Sequence, residues 1–107
     1  MEYIGKIEYD KKIRNGIGDI VIFGAGNMLR ELLGDLEKLG IKDRVVCICD
    51  NSSEVCGKTE DGIFICSASQ VFKDYKDADY IVYNKYSLDI CRQLMENGIA
   101  KIHFIRR

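Results

Sequence analysis

The chain of 107 residues contains no proline, a single histidine and no apolar run close to 20 residues in length. Because proline is absent, no helix or strand is interrupted by a residue with a fixed φ angle and no backbone N–H. A membrane-spanning helix needs about 20 apolar residues, so the sequence predicts no membrane span. Sixteen basic and seventeen acidic residues leave a net charge of −1, whereas nucleic-acid-binding domains usually carry a basic excess. We therefore expect no nucleic-acid partner.

The amino terminus lacks the basic and then apolar pattern of a secretory signal, so we expect a cytoplasmic protein. Five cysteines are an odd number, and in a cytoplasmic protein we expect them to be reduced thiols. Cys47 and Cys49 alternate along one apolar run, and no C-x-x-C spacing occurs. This pattern favours small buried side chains over metal ligands, so we predict no metal site.

The length and the composition, 47% hydrophobic and 31% charged, fit one globular domain. We assign residues 1–17 to an N-terminal extension and residues 18–107 to a single domain. Five short apolar runs predict strands, and helical patterns follow the first, third and fourth of them. The predicted strands span 19–23, 45–49, 63–66, 80–83 and 102–105, and the predicted helices span 28–39, 68–75 and 88–95.

Strands that alternate with helices predict right-handed crossovers and a parallel sheet. We therefore expect an α/β fold in three layers, with an open parallel sheet and helices on both faces. The sheet is expected to have about five strands, in the order 3-2-1-4-5 when the strands are numbered along the chain.

The main functional signal is the turn Gly24-Ala25-Gly26, which joins the first predicted strand to the first helix. Such a turn points unpaired N–H groups of the helix start toward a ligand above the sheet edge. The first glycine permits a tight turn, and the second allows a pyrophosphate to approach the backbone. Asp50, at the end of the second predicted strand, is placed to bind ribose hydroxyls and to repel a 2′-phosphate. The pattern predicts a site for NAD or a nucleotide-sugar rather than for NADP.

Further side chains are expected at the mouth of this site, from the first helical turn and from the end of the fourth strand. Lys85 is a candidate to neutralise a phosphate, although a solvated loop lysine is the more frequent role for such a residue. Tyr86 follows it at the same strand end. The predicted binding residues are Gly24, Ala25, Gly26, Asn27, Met28, Asp50, Asn51, Asn84 and Lys85.

One position departs from the dinucleotide-binding pattern G-x-G-x-x-G, because the third glycine falls on Leu29. A glycine there allows the helix to pack closely on the strand. A leucine is expected to push the two apart or to shift the helix. The alternative is therefore a non-binding scaffold or dimerisation domain with the same fold.

No catalytic set of residues is recognisable in the sequence. The single histidine, His103, lies in a predicted strand, where a structural role is more frequent than a catalytic one. There is no Tyr-x-x-x-Lys pair, H-E-x-x-H motif or carboxylate pair. We predict no catalytic residues in this chain, and whether it is part of an enzyme stays open.

The segment from Ile20 to Gly26, followed by Arg30-Glu31-Leu32, resembles the N-terminal Rossmann-type domain of bacterial polysaccharide-biosynthesis proteins. These include nucleotide-sugar epimerases and dehydratases, sugar acetyltransferases and glycosyltransferases. The resemblance covers residues 18–105, with Leu29 and Phe64 as departures, the second where the relatives usually carry proline. It continues through Val45–Asn51, Gly57, Gly62-Ile63, Asp79–Val82 and Asn97–Ile99.

The resemblance implies a Rossmann-like domain that binds NAD or a nucleotide-sugar in cell-envelope or capsule sugar metabolism. In such relatives the catalytic machinery generally lies in a separate domain, so this chain is expected to be an excised domain or a truncated homologue. The implied partners are a small-molecule nucleotide and either a second copy of the chain, as a homodimer, or a separate catalytic domain.

Overall fold

A computed structural model of the protein describes residues 2–4, 13, 16–84 and 86–105. This part of the chain contains seven strands and three α-helices, and a 3₁₀ turn spans Lys42–Arg44. The strands are β1 (Glu2–Ile4), β2 (Ile20–Phe23), β3 (Val45–Asp50), β4 (Thr59–Glu60), β5 (Ile63–Ser67), β6 (Asp79–Val82) and β7 (Ile102–Ile105). The helices are α1 (Leu29–Lys38), α2 (Ala68–Asp74) and α3 (Ser87–Glu96).

The strands form one mixed sheet in the order β1-β7-β6-β2-β3-β5-β4. Six strands run parallel, and only β4 is antiparallel to its neighbour, β5. The mixed α/β class and a mostly parallel sheet are therefore confirmed. The five strands that were predicted occupy the central positions, and β1 and β4 flank them at the two edges. The prediction of about five strands in the order 3-2-1-4-5 was wrong in the number of strands and in the order of the whole sheet.

The two strands missing from the prediction are the shortest ones, with three residues in β1 and two in β4. Runs this short show no period of hydrophobic residues, so only pairing with a neighbour defines them. The turn between β4 and β5 consists of Asp61 and Gly62, whose φ angles are 53° and 78°. Asp-Gly is a preferred pair for a two-residue hairpin turn with positive φ at both positions. This pair is the sequence signal for β4.

The sheet is buried on both faces around β2, whose four residues are at most 2% exposed. Ile20 and Ile22 pack with the leucines of α1 on one face. Val21 and Phe23 pack on the other face with α2 and α3. Because side chains alternate along a strand, one short apolar run supplies both cores. The central position of β2 explains why its sequence is apolar at every residue.

The apolar stripe of α1 predicted from the sequence packs into the core of the protein. Its residues at spacings of three and four are all buried in the core on the same face of the sheet. Leu29, which replaces the third glycine of the dinucleotide-binding pattern, is one of them and is 5% exposed. The buried leucines of α1 are Leu29, Leu32, Leu33 and Leu36.

The six parallel strands place their carboxyl ends at one edge of the sheet. At the opposite edge, Arg44 donates to the carbonyl oxygens of Gly18 and Ile13, both at 2.7 Å. Arg44 also contacts Asp79, and His103 Nε2 lies 2.9 Å from an oxygen of the same carboxylate. His103 is therefore held beside the Arg44–Asp79 ion pair near the amino ends of the strands, away from the glycine turn.

The boundary between an N-terminal extension and the domain stays a prediction. Within residues 1–17, the structure places β1 beside β7 and buries Ile13 in the core that contains α1. In the described part of the chain, no helix combines the length and the apolar character that crossing a membrane requires.

Candidate functional site

The loop between β2 and α1 begins with a backbone conformation that strongly favours glycine. Gly24 has a φ of 116°, and its N–H donates to the carbonyl oxygen of Cys49 at 2.8 Å. A Cβ atom at this position would lie only 2.7 Å from the side-chain nitrogen of Asn84. Both the positive φ angle and the close side chain of Asn84 therefore disfavour any residue larger than glycine here.

Asp50 fastens this loop to the end of β3. Its Oδ2 accepts the N–H of Ala25 at 2.8 Å, and its Oδ1 accepts the N–H of Ser52, also at 2.8 Å. Each carboxylate oxygen can accept a second hydrogen bond, so neither contact prevents Asp50 from binding a ligand hydroxyl. The residue therefore has a structural role in addition to the predicted binding role.

Asn84 holds the loop from the other side, at the end of β6. Its Nδ2 donates to the carbonyl oxygen of Phe23 at 3.3 Å, and its Oδ1 accepts the N–H of Tyr86 at 2.8 Å. Its carbonyl oxygen accepts the hydroxyl of Ser87, the first residue of α3. The strands on both sides of β2 thus fix the glycine loop through one polar side chain each.

The start of α1 presents unpaired donors. Within the described residues, no hydrogen-bond acceptor contacts the N–H groups of Gly26, Asn27 or Met28. The first paired N–H is that of Leu29, which donates to the carbonyl oxygen of Gly26 at 3.1 Å. Because the leucine side chain is buried in the core, it does not occupy the space above these donors. Unpaired N–H groups at a helix start carry a partial positive charge and favour anions.

A cavity of about 610 Å³ opens above this loop at the carboxyl edge of the sheet. It brings together most of the residues predicted to bind a ligand; Ala25 is outside the lining and contributes only its bond to Asp50. Lys85 lies outside the described residues. The predicted residues that line the cavity are Gly24, Gly26, Asn27, Met28, Asp50, Asn51 and Asn84.

Helix α3 and the residue before it form a wall of the cavity, of which the sequence predicted only Tyr86, at the end of the fourth strand. Tyr86, Asp89, Ile90 and Gln93 all line the cavity. Their spacing of three, four and seven residues from Tyr86 places them on one face of a helix. Tyr83, at the end of β6, also lines the cavity, and its hydroxyl donates to Glu31 at 3.0 Å. The helical spacing was visible in the sequence, but nothing in it indicated that this face turns toward the loop.

Asn51 and Gln93 form a bridge across the carboxyl edge. Their side-chain amides exchange two hydrogen bonds, each 2.9 Å long. A second cavity of about 370 Å³ also has Asp50, Asn51 and Gln93 in its lining, together with Cys56 and three serines, Ser53, Ser67 and Ser69. The amide pair therefore borders both cavities.

All charged side chains in the described lining of the larger cavity are acidic. Its described lining contains the carboxylates of Asp50 and Asp89 and four side-chain amides, but no lysine or arginine. Negatively charged groups of a ligand would have to bind at the N–H groups of Gly26 to Met28, where the start of the helix favours anions. The rest of the cavity favours uncharged or cationic groups.

The cysteines of β3 lie side by side in the core, away from both cavities. Cys47 and Cys49 belong to the core that contains α2 and α3, which confirms that they share one buried face. Burial raises the pKa of Cys47 from 9.0 to about 12, and burial raises the pKa of Cys49 as well. These thiols stay protonated and pack as small apolar groups. Among the described residues, no group of three or more histidine, cysteine or acidic side chains is arranged to hold a metal ion.

Comparison with known proteins adds one finding to this geometry. No curated protein matches the chain. The family model described as C2185-like, N-terminal, matches residues 16–105, which include the glycine loop and every described residue of the larger cavity. Since the match spans most of its length, the chain belongs to the C2185-like N-terminal family.

Proposed function

We propose that this protein is a nucleotide-binding module with a Rossmann-like fold, which takes NAD or a nucleotide-sugar and carries out no catalysis by itself. The observation that carries the proposal is the cavity at the carboxyl edge, because residues predicted from separate parts of the sequence meet in it. In open parallel sheets, ligands bind at the carboxyl edge, between two neighbouring strands whose following helices lie on opposite faces of the sheet. Here α1 lies on one face, whereas α2 and α3 lie on the other.

The phosphate end of the ligand is assigned to the start of α1. The N–H groups of Gly26, Asn27 and Met28 have no partner in the described chain. A Cβ atom built on Gly26 would meet no atom within 4 Å, so the space beside this backbone is open. A phosphate can therefore approach these donors closely.

A ribose is assigned to Asp50. Its two oxygens already orient the loop, and their remaining lone pairs can accept ribose hydroxyls. A carboxylate at this position disfavours a ligand with a 2′-phosphate, which supports NAD or a nucleotide-sugar over NADP.

A role in the cytoplasm, in the biosynthesis of a bacterial cell-envelope or capsular polysaccharide beside a separate catalytic domain, rests on the resemblance of the sequence to such proteins. The geometry of the cavity supports nucleotide binding and is neutral toward the pathway.

Thermal unfolding with NAD, NADP, UDP and UDP-glucose tests the proposal. A ligand at 100 times its dissociation constant adds about 2.7 kcal/mol to the stability, which raises the Tm of a domain of this size by several degrees. Gly26→Asp places a carboxylate beside the proposed phosphate position and should abolish the shift. Gly34→Asp is the matched control, because Gly34 also has no atom within 4 Å of a built Cβ but lies outside the cavity.

Two results would contradict the nucleotide site. The first is the absence of any shift with all four ligands in the wild-type protein. The second is a shift that Gly26→Asp and Gly34→Asp reduce equally, since the ligand would then bind away from the glycine loop.

A second candidate, a scaffold or dimerisation domain, is favoured by two observations. Asp50 is already used by the fold, and two apolar side chains of α3, Leu88 and Met95, are 69% and 56% exposed. Seven residues apart, they lie on one face of the helix. Sedimentation over a range of concentrations tests this function, and a strict monomer would exclude dimerisation.

A further inference from the structure

Two polar side chains of the larger cavity remain unused by the fold. Asp89 comes from the first turn of α3, and Asn27 comes from the loop before α1. Both are exposed, and neither side chain has a hydrogen-bond partner among the described residues. The other amides of the cavity are already engaged, in the Asn51–Gln93 pair and in the contacts of Asn84. Asp89 and Asn27 are therefore the carboxylate and the amide of the described lining whose side chains have no hydrogen-bond partner in the fold.

These two groups favour a particular chemistry in the ligand. A carboxylate only accepts hydrogen bonds, whereas an amide both donates and accepts. Adjacent hydroxyl groups on a sugar ring offer donors and acceptors side by side and carry no charge. An additional phosphate would instead meet Asp50 and Asp89 without a lysine or arginine in the described lining.

The cavity also offers apolar surface. Met28, Tyr86 and Ile90 line it, and Tyr86 is 62% exposed. The aromatic ring combines an apolar face with a polar tip, which suits a ligand that is itself partly apolar and partly hydroxylated. A sugar ring has this character, because its C–H groups and its hydroxyls lie on different sides.

We infer that the cavity contains, beside Asp89, a subsite for a sugar ring with adjacent hydroxyls, carried on a diphosphate, and that Asp89 determines its specificity. The inference rests on the proposed nucleotide site, since the diphosphate is assigned to the start of α1. A hexosyl group and a terminal ribose share this chemistry, and the choice of probes separates the two.

Isothermal titration of the full chain with two pairs of ligands tests the subsite. UDP-glucose is compared with UDP for a hexose, and ADP-ribose is compared with ADP for a ribose. In the wild-type protein, the sugar-bearing ligand of one pair should bind about tenfold more tightly than its parent diphosphate, as expected for hydrogen bonds to a charged group. The pair that shows the difference identifies the sugar.

Asp89→Ala should remove most of this tenfold advantage and leave the affinity for the parent diphosphate unchanged within about twofold. Glu96→Ala is the matched control, because Glu96 is an exposed acidic residue of the same helix and lies outside the cavity. Its sugar-bearing and parent ligands should bind as they do to the wild type.

The outcomes separate the subsite from the nucleotide site. If the parent diphosphates bind but neither sugar adds affinity, or if Asp89→Ala weakens parent and sugar-bearing ligands equally, the subsite is overturned and the nucleotide site stands. If none of the four ligands binds the wild-type protein, both the nucleotide site and the subsite are overturned.

Discussion

Gly24 and Gly26 lie two residues apart in one loop, yet the structure constrains them for different reasons. Gly24 has a positive φ, and the side chain of Asn84 fills the space where a Cβ atom would stand. Gly26 has open space on all sides of a built Cβ. The first glycine is therefore required by the fold, and the second leaves room that a bound ligand would use.

This difference predicts unequal costs for the same substitution. Gly24→Ala should lower the free energy of unfolding by about 1–3 kcal/mol, because it strains the backbone and crowds Asn84. Gly26→Ala should change it by less than about 0.5 kcal/mol. Urea denaturation of both variants measures the difference, and equal losses would contradict the geometry of the loop.

Only part of the role of Asp50 could be predicted from its position in the sequence. Its position at the end of an apolar run predicted a contact with a ribose. The structure adds bonds to the N–H groups of Ala25 and Ser52. Ala25 lies 25 residues earlier in the chain. Such a contact depends on the pairing of β2 with β3, and no local pattern contains it.

At the scale of elements, β3 carries two of the five cysteines into the core and α3 carries a third, whereas the other two lie in β5 and in the loop between β3 and β4. Cys47, Cys49 and Cys91 are buried, whereas Cys56 and Cys66 are partly exposed. The buried thiols have raised pKa values because burial disfavours the thiolate. These three thiols should therefore react slowly with thiol reagents, because they are inaccessible and remain protonated.

Thiol titration of the native protein should accordingly show two fast-reacting cysteines and three slow ones. All five should react in denaturant. Cys56→Ser should reduce the fast group to one, whereas Cys47→Ser should leave it at two. Five fast thiols in the native state would contradict the buried position of β3.

The same scale shows why β4 and the wall formed by α3 were absent from the predictions. The two residues of β4 are defined only by their pairing with β5, through the turn at Asp61 and Gly62. The polar face of α3 is an ordinary solvated helix face in the sequence. The predicted strand order already placed β6 next to β2, but which face of α3 turns toward the glycine loop depends on how the helix packs on the sheet.

For the whole molecule, the buried ionisable groups predict a loss of stability at alkaline pH. The folded state holds the proton of Cys47 up to a pH of about 12, whereas an ordinary cysteine releases it near 9.0. As the pH rises above 9, the unfolded state loses protons that the folded state keeps, so unfolding becomes more favourable. The stabilising contribution is complete below pH 9 and disappears between pH 9 and about 12.

Urea denaturation at several pH values from 7 to 11 measures this effect. The free energy of unfolding should stay nearly constant as far as pH 8 and then fall. In Cys47→Ala, the overall stability should be lower, because a small cavity forms, and the fall above pH 9 should be shallower. An identical slope in the variant would show that Cys47 does not contribute.

Local patterns in the chain were sufficient for the mixed α/β class, the central strands, the helices and the loop Gly24-Ala25-Gly26. These features depend on periodicity and on turn residues, which act over a few neighbouring positions. The tertiary structure alone decided the edge strand β1, the bonds of Asp50 and Asn84 to the loop, and the position of α3 above it. Each of these depends on contacts between segments that are distant in sequence, which form only when the whole sheet has assembled.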